Sequence, residues 1–98
     1  MSDDRVTVRN PNHPGKEERV DATKYRAMEA AMLAVIPSES PGLTIAELRE
    51  PVLAKLPESV FPGGATAGWW LKLVQLDLEA RGEIARSRSS PLRFRRLG

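Results

Sequence analysis

The chain has 98 residues, 41% of them hydrophobic and 29% charged, with no cysteine and a formal net charge of +2. That is enough chain for one domain with one modest core, and the balance argues against full disorder. It excludes a disulfide scaffold, thiol chemistry and any cysteine-ligated zinc site. The charge is unevenly spread: residues 1–80 hold nine Lys/Arg against twelve Asp/Glu, while residues 81–98 hold six arginines against Glu83 alone. Such asymmetry points either to an anionic partner for the C-terminal end or to a solubilising tail.

Met1–Arg5 is charged and expected to be disordered. The first 20 residues carry eight charges with no apolar run behind them, so no leader is expected. The longest apolar run, Ala30–Ile36, is seven residues, too short to span a bilayer. The expected location is the cytoplasm, with no membrane partner. Val6-Thr7-Val8 alternates as a strand does, and Asn10–Gly15 is dense in turn residues. Arg19-Val20 is placed to return beside Val6–Val8 as a small hairpin. Residues 1–20 thus read as an N-terminal arm, partly flexible or folded as a short hairpin, ahead of a domain at 21–98.

Asp21 reads as an N-cap. Behind it Tyr25, Met28, Met32 and Val35 mark one face of a helix over Ala22–Ile36. Thr44-Ile45-Ala46-Glu47 has the spacing of a capping box and opens a second helix, Ile45–Lys55, expected to bend near Pro51. Phe61, inside the connection Glu58–Gly64, reads as an aromatic anchor folded back on the core. A third helix is predicted over Ala65–Arg81, with Gly82 as the residue that ends it. On it Trp69, Leu73, Leu76 and Ala80 form one stripe, which Trp70, Val74 and Leu78 widen. Gly68, Lys72, Gln75 and Glu79 form the polar stripe. The period then changes to two: Glu83–Arg86 and Leu92–Arg95 predict a hairpin with Leu92 and Phe94 inward and Arg93 and Arg95 outward. The expected core is Tyr25, Met28, Met32, Leu48, Val52, Trp69, Leu73, Leu76, Ile84, Leu92 and Phe94.

Catalytic chemistry finds no footing in these residues. His13 is the only histidine and sits in a Pro/Gly loop with no ligand spacing around it. Gly63 and Gly68 have the spacing of a phosphate loop, but Trp69 and Trp70 follow where Lys and Ser/Thr are required. No enzymatic activity, metal or cofactor is expected.

The order helix, helix, helix, hairpin, with the joint Leu76–Arg86 running from a leucine-containing helix end through Gly82 into a strand, resembles the winged helix-turn-helix superfamily over about residues 21–97. Pro51 and the long Gly-rich connection before helix three depart from that pattern. More narrowly, Asn10-Pro11-Asn12, Arg19-Val20-Asp21, Phe61-Pro62-Gly63-Gly64 and Gly68-Trp69-Trp70-Leu71-Lys72 look like segments of a small uncharacterised bacterial family. The superfamily resemblance implies a mainly α fold with a small β-hairpin, the wing, and an N-terminal arm able to add a strand. It implies non-catalytic contact with DNA. Lys72 and Gln75 on helix three would then reach base edges, since Lys suits guanine O6/N7 and Gln suits adenine N6/N7. Arg86, Arg88, Arg93 and Arg95 on the wing would meet phosphates with little sequence specificity. The alternative is a protein-interaction or homodimerisation module. Its surface would be Tyr25, Phe61 and Trp70, because adjacent tryptophans on a helix lie about 100° apart and one of them is expected at a boundary.

Overall fold

The computed structural model describes residues 5–9, 15, 17–88 and 90–97. The turn expected at residues 10–14, with His13, lies outside the described residues, as does most of the expected disorder at Met1–Arg5. Arg5–Arg9 (β1) and Glu17–Asp21 (β2) pair antiparallel, Val6 opposite Val20 and Val8 opposite Glu18. Alternation along β1 puts Val6 and Val8 on one face; Val8 and Val20 are buried and Val6 packs at the edge of the core. The N-terminal hairpin thus adds side chains to the common core. Asp21 ends β2 and caps α1 (Ala22–Val35), its carboxylate accepting the Lys24 N–H at 3.1 Å. Tyr25, Met28 and Met32 face inward, as their spacing predicts.

Leu43–Thr44 (β3) leads into α2 (Ile45–Lys55). Both halves of the capping box form. Glu47 N–H donates to Thr44 Oγ1 at 3.1 Å, and Thr44 N–H donates to Glu47 Oε1 at 2.9 Å. Pro51 sits within α2 on its exposed side, while Leu48 and Val52 are buried. The connection makes a 3-10 turn at Pro62–Gly64 and buries Phe61, as the anchor reading expects. α3 spans Ala67–Ala80 and ends as predicted: Gly82, at φ +73°, lets Glu83 N–H reach Leu78 O at 2.9 Å and Gly82 N–H reach Glu79 O at 3.1 Å. β4 (Ile84–Arg86) and β5 (Arg93–Arg96) form the predicted hairpin. β5 also pairs with β3, giving the order β3-β5-β4. The protein is thus three helices with two small antiparallel sheets.

The main correction concerns α3. Its buried residues are Ala67, Trp70, Leu71, Val74, Gln75, Asp77 and Leu78. The second stripe, Trp70-Val74-Leu78, is the centre of the buried arc, and the stripe expected to lead the core faces outward. Trp69 is 57% exposed, and Leu73 and Leu76 are only half-buried. Apolar residues cover so wide an arc of this helix that period alone cannot fix which part is inside. Leu92 is likewise 40% exposed, since it precedes β5 and stands clear of the ladder that turns Phe94 inward.

β3 can approach β5 only because residue 42 is glycine. Gly42 has φ +84°, and a Cβ there would lie 2.3 Å from the Phe94 carbonyl oxygen. Gly42→Ala is expected to cost roughly 2–4 kcal/mol, from the strained backbone together with overpacking. Gly63→Ala, at positive φ but facing open space, should cost about 1 kcal/mol. Urea unfolding of the two variants checks the difference.

Candidate functional site

Three clusters carry the polar and exposed chemistry. The first is centred on Asp77, which is 1% exposed. Its carboxylate accepts the Tyr25 hydroxyl, the Arg9 backbone N–H at 2.8 Å and Arg81 Nε at 3.1 Å. Arg81 Nη2 also donates to Tyr25 Oη at 2.7 Å and Glu29 Oε2 at 2.8 Å. The group joins β1, α1 and α3 beside a cavity of about 230 Å³, lined also by Val6, Thr7 and Arg26. Burial pushes the Tyr25 phenol well above the usual tyrosine range, and the hydrogen bond to Asp77 raises it further. With three donors on one carboxylate and a phenol held neutral, the cluster fixes charge in place. Sequence reasoning missed Asp77; its i,i+4 spacing to Arg81 was the available signal. Tyr25, expected on an interaction surface, is buried here because its hydroxyl has this partner.

The second cluster is the arginine hairpin, most of whose cations are already engaged. Arg86 donates from Nε and Nη2 to Glu79 on α3, the latter at 3.0 Å. That contact raises its pKa above the ordinary arginine value. Arg93 Nη1 lies 3.1 Å from Glu47 Oε1 and 3.3 Å from the Gly42 carbonyl oxygen. The Thr44 N–H, with Arg93 beside it, holds the Glu47 carboxyl below the usual carboxylate range. Arg96 Nε donates to the Ile36 carbonyl at 2.7 Å. These three side chains tie the hairpin to α3, to the start of α2 and to the end of α1. Arg88 and Arg95 are exposed, and their side chains make no ion pair or hydrogen bond among the described residues.

Of the two residues expected to read bases, Lys72 is exposed and Gln75 is not. Gln75 is 1% exposed and lines a cleft of about 310 Å³ with the start of α2, Leu92 and Phe94; its Nε2 donates to Glu79 Oε2 at 2.6 Å, while its Oε1 has no partner among the described residues. It cannot reach a base edge from there, which corrects that expectation.

The third cluster is aromatic. Phe61 and Trp70, both expected at the surface of an interaction module, are buried; Trp70 is 7% exposed. The helix turns Trp70 toward Phe61, whose ring meets it edge-on at 6.5 Å. Trp70 in turn meets the Trp69 ring edge-on at 5.1 Å. The tryptophan at the surface is therefore Trp69. At 100° per residue it shares the outward face of α3 with Leu73, Leu76 and Ala80, and Lys72 flanks them.

The model of a family of unknown function, DUF6958, matches residues 5–94. The chain belongs to that family. No curated protein and no solved structure matches it. The matched residues run from β1 into β5.

Because the folded phenol binds its proton more tightly than the unfolded one, the stability contributed by Tyr25 is complete below about pH 10 and is lost as pH rises above it. Tyr25→Phe should be less stable at neutral pH by about 1–3 kcal/mol, and its deficit should shrink above pH 10. Melting both proteins from pH 8 to 11 checks this. Tyr25 is the only tyrosine, so its ionisation can be followed directly by absorbance.

Proposed function

We propose that this chain is a non-catalytic, winged-helix-like module that works by binding protein across the outward face of α3. The winged-helix part is supported by three helices followed directly, through Gly82, by a hairpin whose last strand returns to β3 ahead of α2. The protein-binding part is carried by one observation: Trp69, 57% exposed, heads an outward stripe of Leu73, Leu76 and Ala80 on the helix that would have to read DNA. An exposed tryptophan beside half-buried leucines, with one cation next to them, suits a protein surface, where tryptophan is enriched, and suits phosphate poorly.

The test uses a photo-crosslinking residue in place of Lys72, in the full chain and in its native host. It should capture protein, a control at exposed Ala54 should not, and adding Trp69→Ser should abolish capture while the far-ultraviolet dichroism is unchanged. Equal capture at both positions would overturn the reading.

A second reading, weak nucleic-acid contact, is favoured by the exposed Arg88 and Arg95 on the C-terminal hairpin, whose side chains have no acceptor among the described residues. It limits contact to phosphates and to few of them, so the salt slope should be shallow, roughly −2 for two contacts. Amide shifts on adding a mixed-sequence duplex should be confined to the hairpin and vanish with Arg88→Glu and Arg95→Glu. Salt-sensitive shifts along Trp69, Lys72 and Leu76 would instead make α3 a DNA-reading helix.

A further inference from the structure

We infer that the cleft between the start of α2, α3 and β5 binds a small organic carboxylate with an apolar body and one neutral hydrogen-bond donor. The site is separate from the Trp69 face and does not rest on the protein-binding reading. At about 310 Å³ the cleft is at the small end of ligand pockets.

The deciding group is Gln75. It lies in the cleft wall, 1% exposed, and its Oε1 is buried with no hydrogen-bond partner among the described residues. Exchanging the two ends of the amide does not cure this. The Glu79 carboxylate, which also takes Arg86, accepts and cannot donate, so Nε2 must face it and the carbonyl is left over. A buried acceptor without a donor is uncommon, and a ligand that brings an N–H or O–H completes it. Leu92 stands beside it, 40% exposed and ahead of the β5 ladder, so its side chain can turn aside to admit the donor.

The other walls fix the rest of the ligand. In the first turn of α2 the Ile45 and Ala46 N–H groups have no acceptor among the described residues, and the positive end of the helix dipole lies there. Lys72 is exposed on the same cleft and makes no ion pair among the described residues. The neighbouring carboxylates are already engaged, Glu47 with Arg93 and Glu79 with Arg86. The unbalanced charge of the cleft is therefore positive, and it selects a carboxylate. Ile45, Leu92 and Phe94 supply apolar wall for the body of the ligand. Lys72 and Gln75 are three residues apart on α3 and so are neighbours, which lets one small molecule meet both. The donor is neutral, because a second cation beside Lys72 would be repelled.

The probe is para-hydroxyphenylacetate, titrated into the isotope-labelled full chain and followed by amide shifts. It should give saturable shifts at Ile45, Ala46 and the Gln75 side-chain amide, with a dissociation constant in the millimolar range or below. Phenylacetate, which lacks the donor, and the methyl ester, which lacks the charge, should each bind roughly fivefold more weakly, the worth of one polar contact. Gln75→Leu should erase the difference between the two acids. Lys72→Gln, at an exposed position that leaves the core intact, should shrink the difference between acid and ester. A merely structural role for either residue would move neither difference. Trp69→Ser should leave the affinity unchanged, which separates this site from the protein-binding face. Shifts that do not saturate, equal affinity for all three compounds, or an undiminished preference for the acid over the ester in Lys72→Gln would overturn the carboxylate site. If Gln75→Leu does not fold, the three compounds on the unaltered chain and on Lys72→Gln decide it.

Discussion

The Asp77 carboxylate orients the most informative helix of this protein. It sits in the interior because three donors from three places meet it there: a phenol from α1, a backbone N–H from β1 and a guanidinium one turn on in its own helix. Burying a carboxylate without such partners costs several kcal/mol. Once they are in place, the face of α3 that bears Asp77 turns inward and carries Trp70, Val74 and Leu78 with it. The opposite face, with Trp69, Leu73, Leu76 and Ala80, then has nowhere to go but outward. The N-terminal hairpin is part of the same arrangement, since Arg9 supplies the backbone donor while Val8 and Val20 join the core.

A similar logic explains the arginines. Six of them in the last 18 residues look like a surface made for an anion when only charge is counted. In three dimensions Arg86, Arg93 and Arg96 each reach back to an acceptor on a different helix or its end. They anchor a short hairpin whose ladder is only a few residues long. Exposed ion pairs contribute little individually. The geometric effect matters more here, because a planar guanidinium can meet a carboxylate through two donors and so fix direction as well as distance.

These two arrangements bear jointly on function. Two of the cations that would serve nucleic acid, Arg86 and Arg93, are committed to acceptors within the fold, and one of the two side chains that would read bases is buried. What stands exposed on α3 is Trp69, beside half-buried Leu73, Leu76 and Ala80. A fold can host many activities, so weight belongs to the surface presented, and the surface presented here is apolar.

Much of the architecture was legible in the residues. The Asp21 and Thr44 caps, the Gly82 terminus, the inward Tyr25-Met28-Met32 face, the anchoring Phe61 and the period-two C-terminal hairpin are local signals, each set by chemistry within a few positions. The orientation of α3 was not legible, and the interaction surface depended on it. Nine apolar side chains wrap most of that helix, so its periodicity admits more than one inward face. The choice was made by contacts 52 and 68 residues apart in sequence, Tyr25 and Arg9 with Asp77. Sequence alone determined the three helices and the two hairpins to within a few residues, because their caps and turns come from local hydrogen bonds and backbone constraints; it did not show β3, whose two residues are a strand only by pairing with β5. Only the tertiary structure decided that Trp69 is exposed and that Trp70 and Gln75 are buried, because a helix covered in apolar residues is oriented by the polar group it must satisfy inside.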